Sequence, residues 1–127
     1  VDGSSAPDTR RTTLGRRGEE AALEVYRRAG FTLLARNWRC PAGELDLVLR
    51  RGELVVFCEV KTRAGGTYGG GHEAVTWRKQ RKLRQLAEVF LAGLRAGAAP
   101  SAVRFDVASV QARPGIRPVV EVFEDAF

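Results

Sequence analysis

No stretch of the 127 residues contains an apolar run near the ~18 that a membrane helix needs, and the first residues lack the apolar core of a secretory signal. Neither a membrane span nor export is expected, and a cytoplasmic location is. Sulfur and imidazole are scarce, with two cysteines, Cys40 and Cys58, and a single histidine, His72. Two thiols without C-x-x-C spacing and one imidazole cannot supply four zinc ligands, which excludes an ordinary structural zinc. Cys58 lies in an apolar run and reads as a small buried hydrophobe, whereas Cys40, beside Pro41, reads as a free thiol. There is no internal repeat, and low complexity is confined to residues 63–73, where five of eleven positions are glycine. This excludes solenoid and collagen-like architectures.

Positive charge is plentiful. Twenty-one Lys and Arg face fifteen Asp and Glu, giving a net charge of +6 and a pI of about 10.1. Such a balance favours a polyanionic partner, because every phosphate neutralised releases condensed counterions. The 44% hydrophobic and 28% charged shares are those of an ordinary globular domain. At this length one core is expected. Residues 1–12 are polar and turn-forming with no apolar period, so they are expected to form a flexible leader before a domain spanning 13–127.

The first helix is expected to begin near Thr13 and to end at Gly30, which suits a left-handed cap. A short strand follows over Phe31–Trp38. Residues 43–62 form the clearest hairpin, with a turn at Arg51-Gly52 and a second strand rich in β-branched residues. After the glycine-rich loop, a helix runs from about Thr76 to Leu94, with apolar positions at three- and four-residue steps and a basic first half, WRKQRKLRQ. Two strands close the chain, VRFDVASV and VVEVF. The fold class is α/β, in the order α-β-β-β-α-β-β.

Alternation along the second hairpin strand puts Glu59 and Lys61 on one face. With Arg51 and Gly52 as the turn, residue 50 faces 53 and Asp46 falls opposite Phe57, diagonal to Glu59 on the same side. Two carboxylates brought together among apolar residues require a cation, and Mg²⁺ is held by one or two carboxylates with water and substrate phosphate. Lys61 beside them can stabilise charge developing on phosphorus or assist the attacking water, which suits phosphodiester hydrolysis. Glu19 falls on the apolar stripe of the first helix with Ala22, Leu23 and Tyr26. It either contacts this site or serves the helix dipole from the first turn. Arg78, Lys79, Arg81, Lys82 and Arg84 are read as a DNA-backbone surface or a solvated face. His72 has no partner identifiable from sequence. Trp77 is expected to anchor its loop by packing rather than to stack on a base, Asp106 to make a structural bond with its neighbours, and Glu44 to be structural.

Gly18-Glu19, Gly30-Phe31, Asn37-Trp38-Arg39-Cys40, Gly43-Glu44-Leu45-Asp46-Leu47, Phe57-Cys58-Glu59-Val60-Lys61-Thr62-Arg63, Ala74-Val75-Thr76 with Lys79, and Arg104-Phe105-Asp106-Val107 resemble the YraN-like proteins. That family is in turn similar to archaeal Holliday junction resolvases of the PD-(D/E)xK superfamily. The resemblance covers roughly residues 13–127. It implies a restriction-endonuclease-like core, a mixed sheet flanked by helices, with Mg²⁺ or Mn²⁺ as cofactor and DNA, branched or structured, as substrate. It assigns catalysis to Glu19, Asp46, Glu59 and Lys61, with Asp46 and Glu59 as metal ligands. Together with the basic helix start, Arg63, Arg78, Lys79, Arg81 and Lys82 are expected to contact DNA, and the resemblance adds Gln80 by its match to a superfamily glutamine. Leu45 stands where the motif has proline. A homodimer is implied because resolvase-like relatives cut symmetric junctions in pairs. The alternative is a DNA-binding module that keeps the fold without catalysis.

Overall fold

A computed structural model describes residues 9–64 and 75–127, with side chains from residue 13 onward. Residues 1–8, His72 and the glycine-rich segment from residue 65 on lie outside the described residues. Helix α1 spans Thr9–Arg28, beginning four residues earlier than expected. It closes as anticipated: Gly30 takes φ +92°, its N–H donates to the Arg27 carbonyl (3.0 Å), and the Phe31 N–H reaches back to Tyr26 (3.0 Å). This pair of bonds is the Schellman arrangement, which needs a residue without Cβ in the left-handed region.

Strands β1 (Thr32–Cys40), β2 (Gly43–Arg51) and β3 (Leu54–Arg63) follow, then α2 (Trp77–Ala92), β4 (Ala102–Gln111) and β5 (Val119–Phe123). The sheet runs in sequence order, β1 to β5, antiparallel throughout except for the β3–β4 pair. A parallel pair requires a crossover, and α2 supplies it. The architecture is therefore the expected α/β class with a restriction-endonuclease-like element order. Thr76 caps α2, its hydroxyl accepting from the Lys79 N–H at 3.1 Å. Among the described residues no helix is long and apolar enough to cross a membrane.

The β2–β3 turn differs by one position from the expected one. Arg51 pairs with Leu54, so Gly52 (φ +62°) and Glu53 make the turn. Glycine at the first central position with φ > 0 is the type II′ choice, whereas an Arg51-Gly52 turn of type I′ would force arginine into the left-handed region. Moving the turn by one residue shifts the pairing by two, so every side chain keeps its face. Val48 rather than Asp46 consequently pairs with Phe57, and Asp46 lies one residue past the last pair, Leu47↔Cys58.

The sheet separates two apolar layers. Leu47, Leu49, Val56, Cys58, Ala108 and Val110 meet Ala22, Leu23 and Tyr26 of α1. Val48, Val55, Phe57, Phe105 and Val107 meet Leu83, Leu86 and Ala87 of α2. Each fully buried Leu or Val contributes on the order of 1.5–3 kcal/mol. Asp106 is wholly buried under α1, accepting from Tyr26 Oη (2.6 Å), from Arg104 through both carboxylate oxygens (2.9 Å each) and from the Asp125 N–H (3.0 Å). It is the structural anchor expected of it.

Candidate active site

Strand β3 stays paired with β4 as far as Arg63, but its ladder with β2 runs only from Arg51↔Leu54 to Leu47↔Cys58. Beyond that point β2 leaves β3, and the Val60 N–H, which would otherwise seek a strand partner, donates to Asp46 Oδ2 at 2.9 Å. The sheet forks at Asp46. The side-chain pattern inverts at the same place: Leu47 belongs to the α1 layer and Leu45, two residues away, to the α2 layer. On β1, Arg36 reaches Glu19 of α1 while Trp38 packs edge-on against Phe90 of α2 (5.3 Å). Asn37 lies between them with φ +52°, a left-handed conformation that asparagine tolerates better than most residues. The inversion leaves Asp46 in the opening of the fork, within reach of both faces.

On the α1 side, Asp46 borders a cavity of about 200 Å³ with Leu14, Gly15, Glu19, Val60 and Thr62. On the α2 side it lines a groove of about 520 Å³ with Glu44, Glu59, Arg78, Lys79 and Lys82. Glu59 is only 12% exposed and pairs with Lys79 Nζ at 3.1 Å. Burial, reinforced by the Glu59 carboxylate, pushes the Asp46 carboxyl up to about 7, with the Val60 N–H opposing and Glu19 and Glu44 adding to the rise. Glu19 is 15% exposed and is held by Arg36 Nε (3.3 Å) and Asn37 Nδ2 (3.2 Å). Its approach depends on Gly18, where a Cβ would lie 1.8 Å from Thr62 Oγ1 of β3. The arrangement gathers negative charge at one end of a groove whose other wall is cationic.

The family model described as Uncharacterised protein family UPF0102 matches residues 18–110. The chain belongs to this family. Among UPF0102 relatives, one from Frankia alni is 52% identical, with 90% of this chain and 93% of the relative aligned. One from Nocardia farcinica is 45% identical over 90% of this chain and 88% of its own length. One from Symbiobacterium thermophilum is 44% identical over 90% and 95%. UPF0102 is the YraN-like group to which the motifs pointed, and the matched span takes in every residue of the fork.

Within this UPF0102 fold the residues singled out from sequence fall into three sets. Asp46 and Glu59 share the groove, and Glu19 joins them through Asp46 from the other face. Lys61 follows Glu59 on the same face of β3, level with Ser109 of β4, and is half-buried. Arg78, Lys79 and Lys82 line the groove, while Arg81 is exposed on α2. Gln80 is turned elsewhere: its side-chain amide donates to the Val75 carbonyl at 2.9 Å. Arg63 ends β3, half-buried. Trp77 is 71% exposed, and the loop it is expected to anchor lies outside the described residues. Glu44 shares the groove with Asp46 and also lies 3.7 Å from Arg39.

Sequence reasoning missed the residues that position these carboxylates. Arg36 and Asn37 hold Glu19, and Gly18 lets α1 close on Thr62. Gly18 did leave a signal, since glycine inside a helix costs ~1 kcal/mol and implies a close approach.

Among the described residues, no three His, Cys, Asp or Glu side chains are grouped to form a ready-made metal cage. A divalent ion at the fork would take Asp46 and Glu59 and complete its shell with water and phosphate. That is the manner of Mg²⁺ and not of zinc. Two partly buried carboxylates, one of them driven toward protonation, make a donor set that such an ion fits. A larger groove of about 1070 Å³ runs along the outer side of α1 past Arg117 and Val120, with acidic and basic residues intermixed.

Proposed function

We propose that this chain is a Mg²⁺- or Mn²⁺-dependent endodeoxyribonuclease acting on branched or structured DNA. The convergence of Asp46 and Glu59 at the fork, with Asp46 raised to about 7 by burial and by its neighbour, carries the reading. Carboxylates so placed destabilise each other unless a cation joins them, and perturbed groups of this kind concentrate at functional sites. When bound, the metal supplies a Lewis acid and an acidified water. Asp46 and Glu59 hold it, Glu19 supports Asp46 from the α1 face, and Lys61 sets an ammonium beside the attacked phosphate. Arg78, Lys79 and Lys82 take the flanking phosphates, and in doing so Lys79 leaves Glu59. The resemblance to resolvases supports DNA as substrate, a cytoplasmic location and a paired, dimeric form.

The second reading, a DNA-binding module without catalysis, draws on Lys79, whose ammonium already neutralises Glu59 without a metal. Cleavage of end-labelled flapped and four-way DNA separates the two. The nuclease reading expects scission with Mg²⁺ or Mn²⁺, lost in Asp46→Ala and Lys61→Ala proteins that retain the wild-type circular dichroism and melting behaviour. Binding that ignores chelator, with no scission of any DNA tested, moves the assignment to the module.

A further inference from the structure

The reaction proposed above leaves Trp77 unused. Its indole opens α2, is 71% exposed, and has neither a ring contact nor a hydrogen bond among the described residues. Single exposed apolar side chains are ordinary, so exposure alone decides nothing. The surroundings do. Trp77 and Arg81 are four residues apart and share one exposed flank of the helix, while Arg78 and Lys82 share the flank that lines the groove. None of these three cations makes an ion pair among the described residues, and the first turn of α2 contains no acidic residue. Lys79, bonded to Glu59 at 3.1 Å, is two residues from Trp77, about 3 Å of helix rise and roughly 200° around the axis, so a strand held at Lys79 reaches the indole by crossing the N-terminal end of α2.

We infer that Trp77 is a stacking platform for one unpaired nucleobase. The substrate class then narrows to DNA with an unpaired nucleotide beside the scissile phosphate, such as a flap, gap or splayed end, rather than fully paired DNA. This rests on the nuclease reading for its link to the carboxylates. A strand whose phosphates are held by Arg78, Lys79 and Lys82 beside Glu59 passes the end of α2, and its next base comes level with the indole. Inside a duplex both faces of each base are already stacked, whereas an unpaired base offers a free face. Stacking on an aromatic ring accepts any base, so the platform selects strand structure rather than sequence. The cations alone favour any polyanion and cannot make that distinction.

The test is made on the whole chain in chelator, where no hydrolysis occurs, with a short oligothymidylate, a flapped duplex and a blunt duplex as probes. Trp38 and Trp77 are the two tryptophans, tryptophan emission is read selectively by long-wavelength excitation that tyrosine does not absorb, and Trp38 is packed against Phe90. Oligothymidylate should quench wild-type fluorescence and leave Trp77→Phe, which retains Trp38 alone, unquenched. Trp77→Ala should weaken oligothymidylate and flap binding roughly five- to a hundredfold, the range that one stacked base supplies, with blunt-duplex affinity unchanged. Equal affinities of wild type and Trp77→Ala for oligothymidylate and flap, or an equal loss on blunt duplex, would overturn the platform. A parallel assay with Mg²⁺ keeps the two readings apart. Trp77-dependent binding without scission removes the nuclease and keeps the platform, whereas scission indifferent to Trp77 keeps the nuclease and removes the platform.

Discussion

Burial and the Glu59 carboxylate hold Asp46 up to about 7, against an ordinary 3.8. In the unfolded chain the same group titrates near the ordinary value. Between the two, the folded state binds more protons than the unfolded one, so this group's stability contribution is complete at low pH and is lost as pH rises through 7. At ~1.4 kcal/mol for each tenfold change in proton affinity, the loss is a few kcal/mol at most. The metal-free protein should therefore melt at a lower temperature at pH 8 than at pH 5, relative to an Asp46→Asn variant that lacks the titrating carboxyl. The variant should be the more stable of the two at pH 8, with the gap closing toward pH 5. Mg²⁺ or Mn²⁺ at pH 8 should raise the wild-type melting temperature and leave that of Asp46→Asn nearly unmoved, because an ion that binds only the folded form stabilises it by mass action. A wild-type minus variant difference that does not change with pH would show that Asp46 is solvated rather than trapped in the fork.

At the scale of elements, α1 and β3 meet through a glycine, and two glycines of one helix give opposite expectations. A Cβ at Gly18 would fall 1.8 Å from Thr62 Oγ1 and 2.8 Å from its Cβ, whereas one at Gly15 meets nothing within 4 Å. Helix propensity favours alanine at both by up to ~1 kcal/mol. Gly15→Ala should accordingly be neutral or stabilising in urea, and Gly18→Ala destabilising by about 1–3 kcal/mol as α1 is forced off the sheet. Equal midpoints for the two variants would mean that α1 does not lie where it is described. Much of this layer was legible in advance. The β-branched run of β3, the hairpin, the Gly30 cap and the apolar spacing of α2 all follow from local periods that tertiary packing reinforces. Gly52 marked the hairpin turn but not which of its two positions glycine took, since both choices give the same faces. The fork was not legible, because it depends on Asn37 entering the left-handed region and on Asp46 replacing a strand acceptor, while Leu45, Leu47 and Leu49 alternate in the sequence as one face although Leu45 packs on the other. The exposure of Trp77 was equally hidden, as nothing in a helix start reveals whether an indole finds a surface to cover.

For the whole molecule, a net charge of +6 favours a polyanion, yet the groove that receives the scissile phosphate in the proposed reaction carries Glu44, Asp46 and Glu59. Attraction at long range and repulsion at close approach act on the affinity separately. The first is set by the many Lys and Arg and is screened by salt over ~8 Å at physiological ionic strength. The second is local and vanishes once the carboxylates are neutralised. In chelator, Asp46→Asn and Glu59→Gln should therefore bind flapped DNA more tightly than wild type, by roughly two- to fivefold for each charge removed, the scale of a partly solvated ion pair. Both variants should lose scission. Their dependence of log affinity on log salt should match wild type, because the same phosphates are neutralised, whereas Arg78→Ala with Lys82→Ala should flatten that slope by about 0.9 for each phosphate no longer neutralised. Tighter binding without catalysis has no explanation in a surface where these carboxylates face away from DNA. Weaker binding by Asp46→Asn and Glu59→Gln, measured by fluorescence anisotropy at fixed salt, would place the phosphate path elsewhere on the molecule.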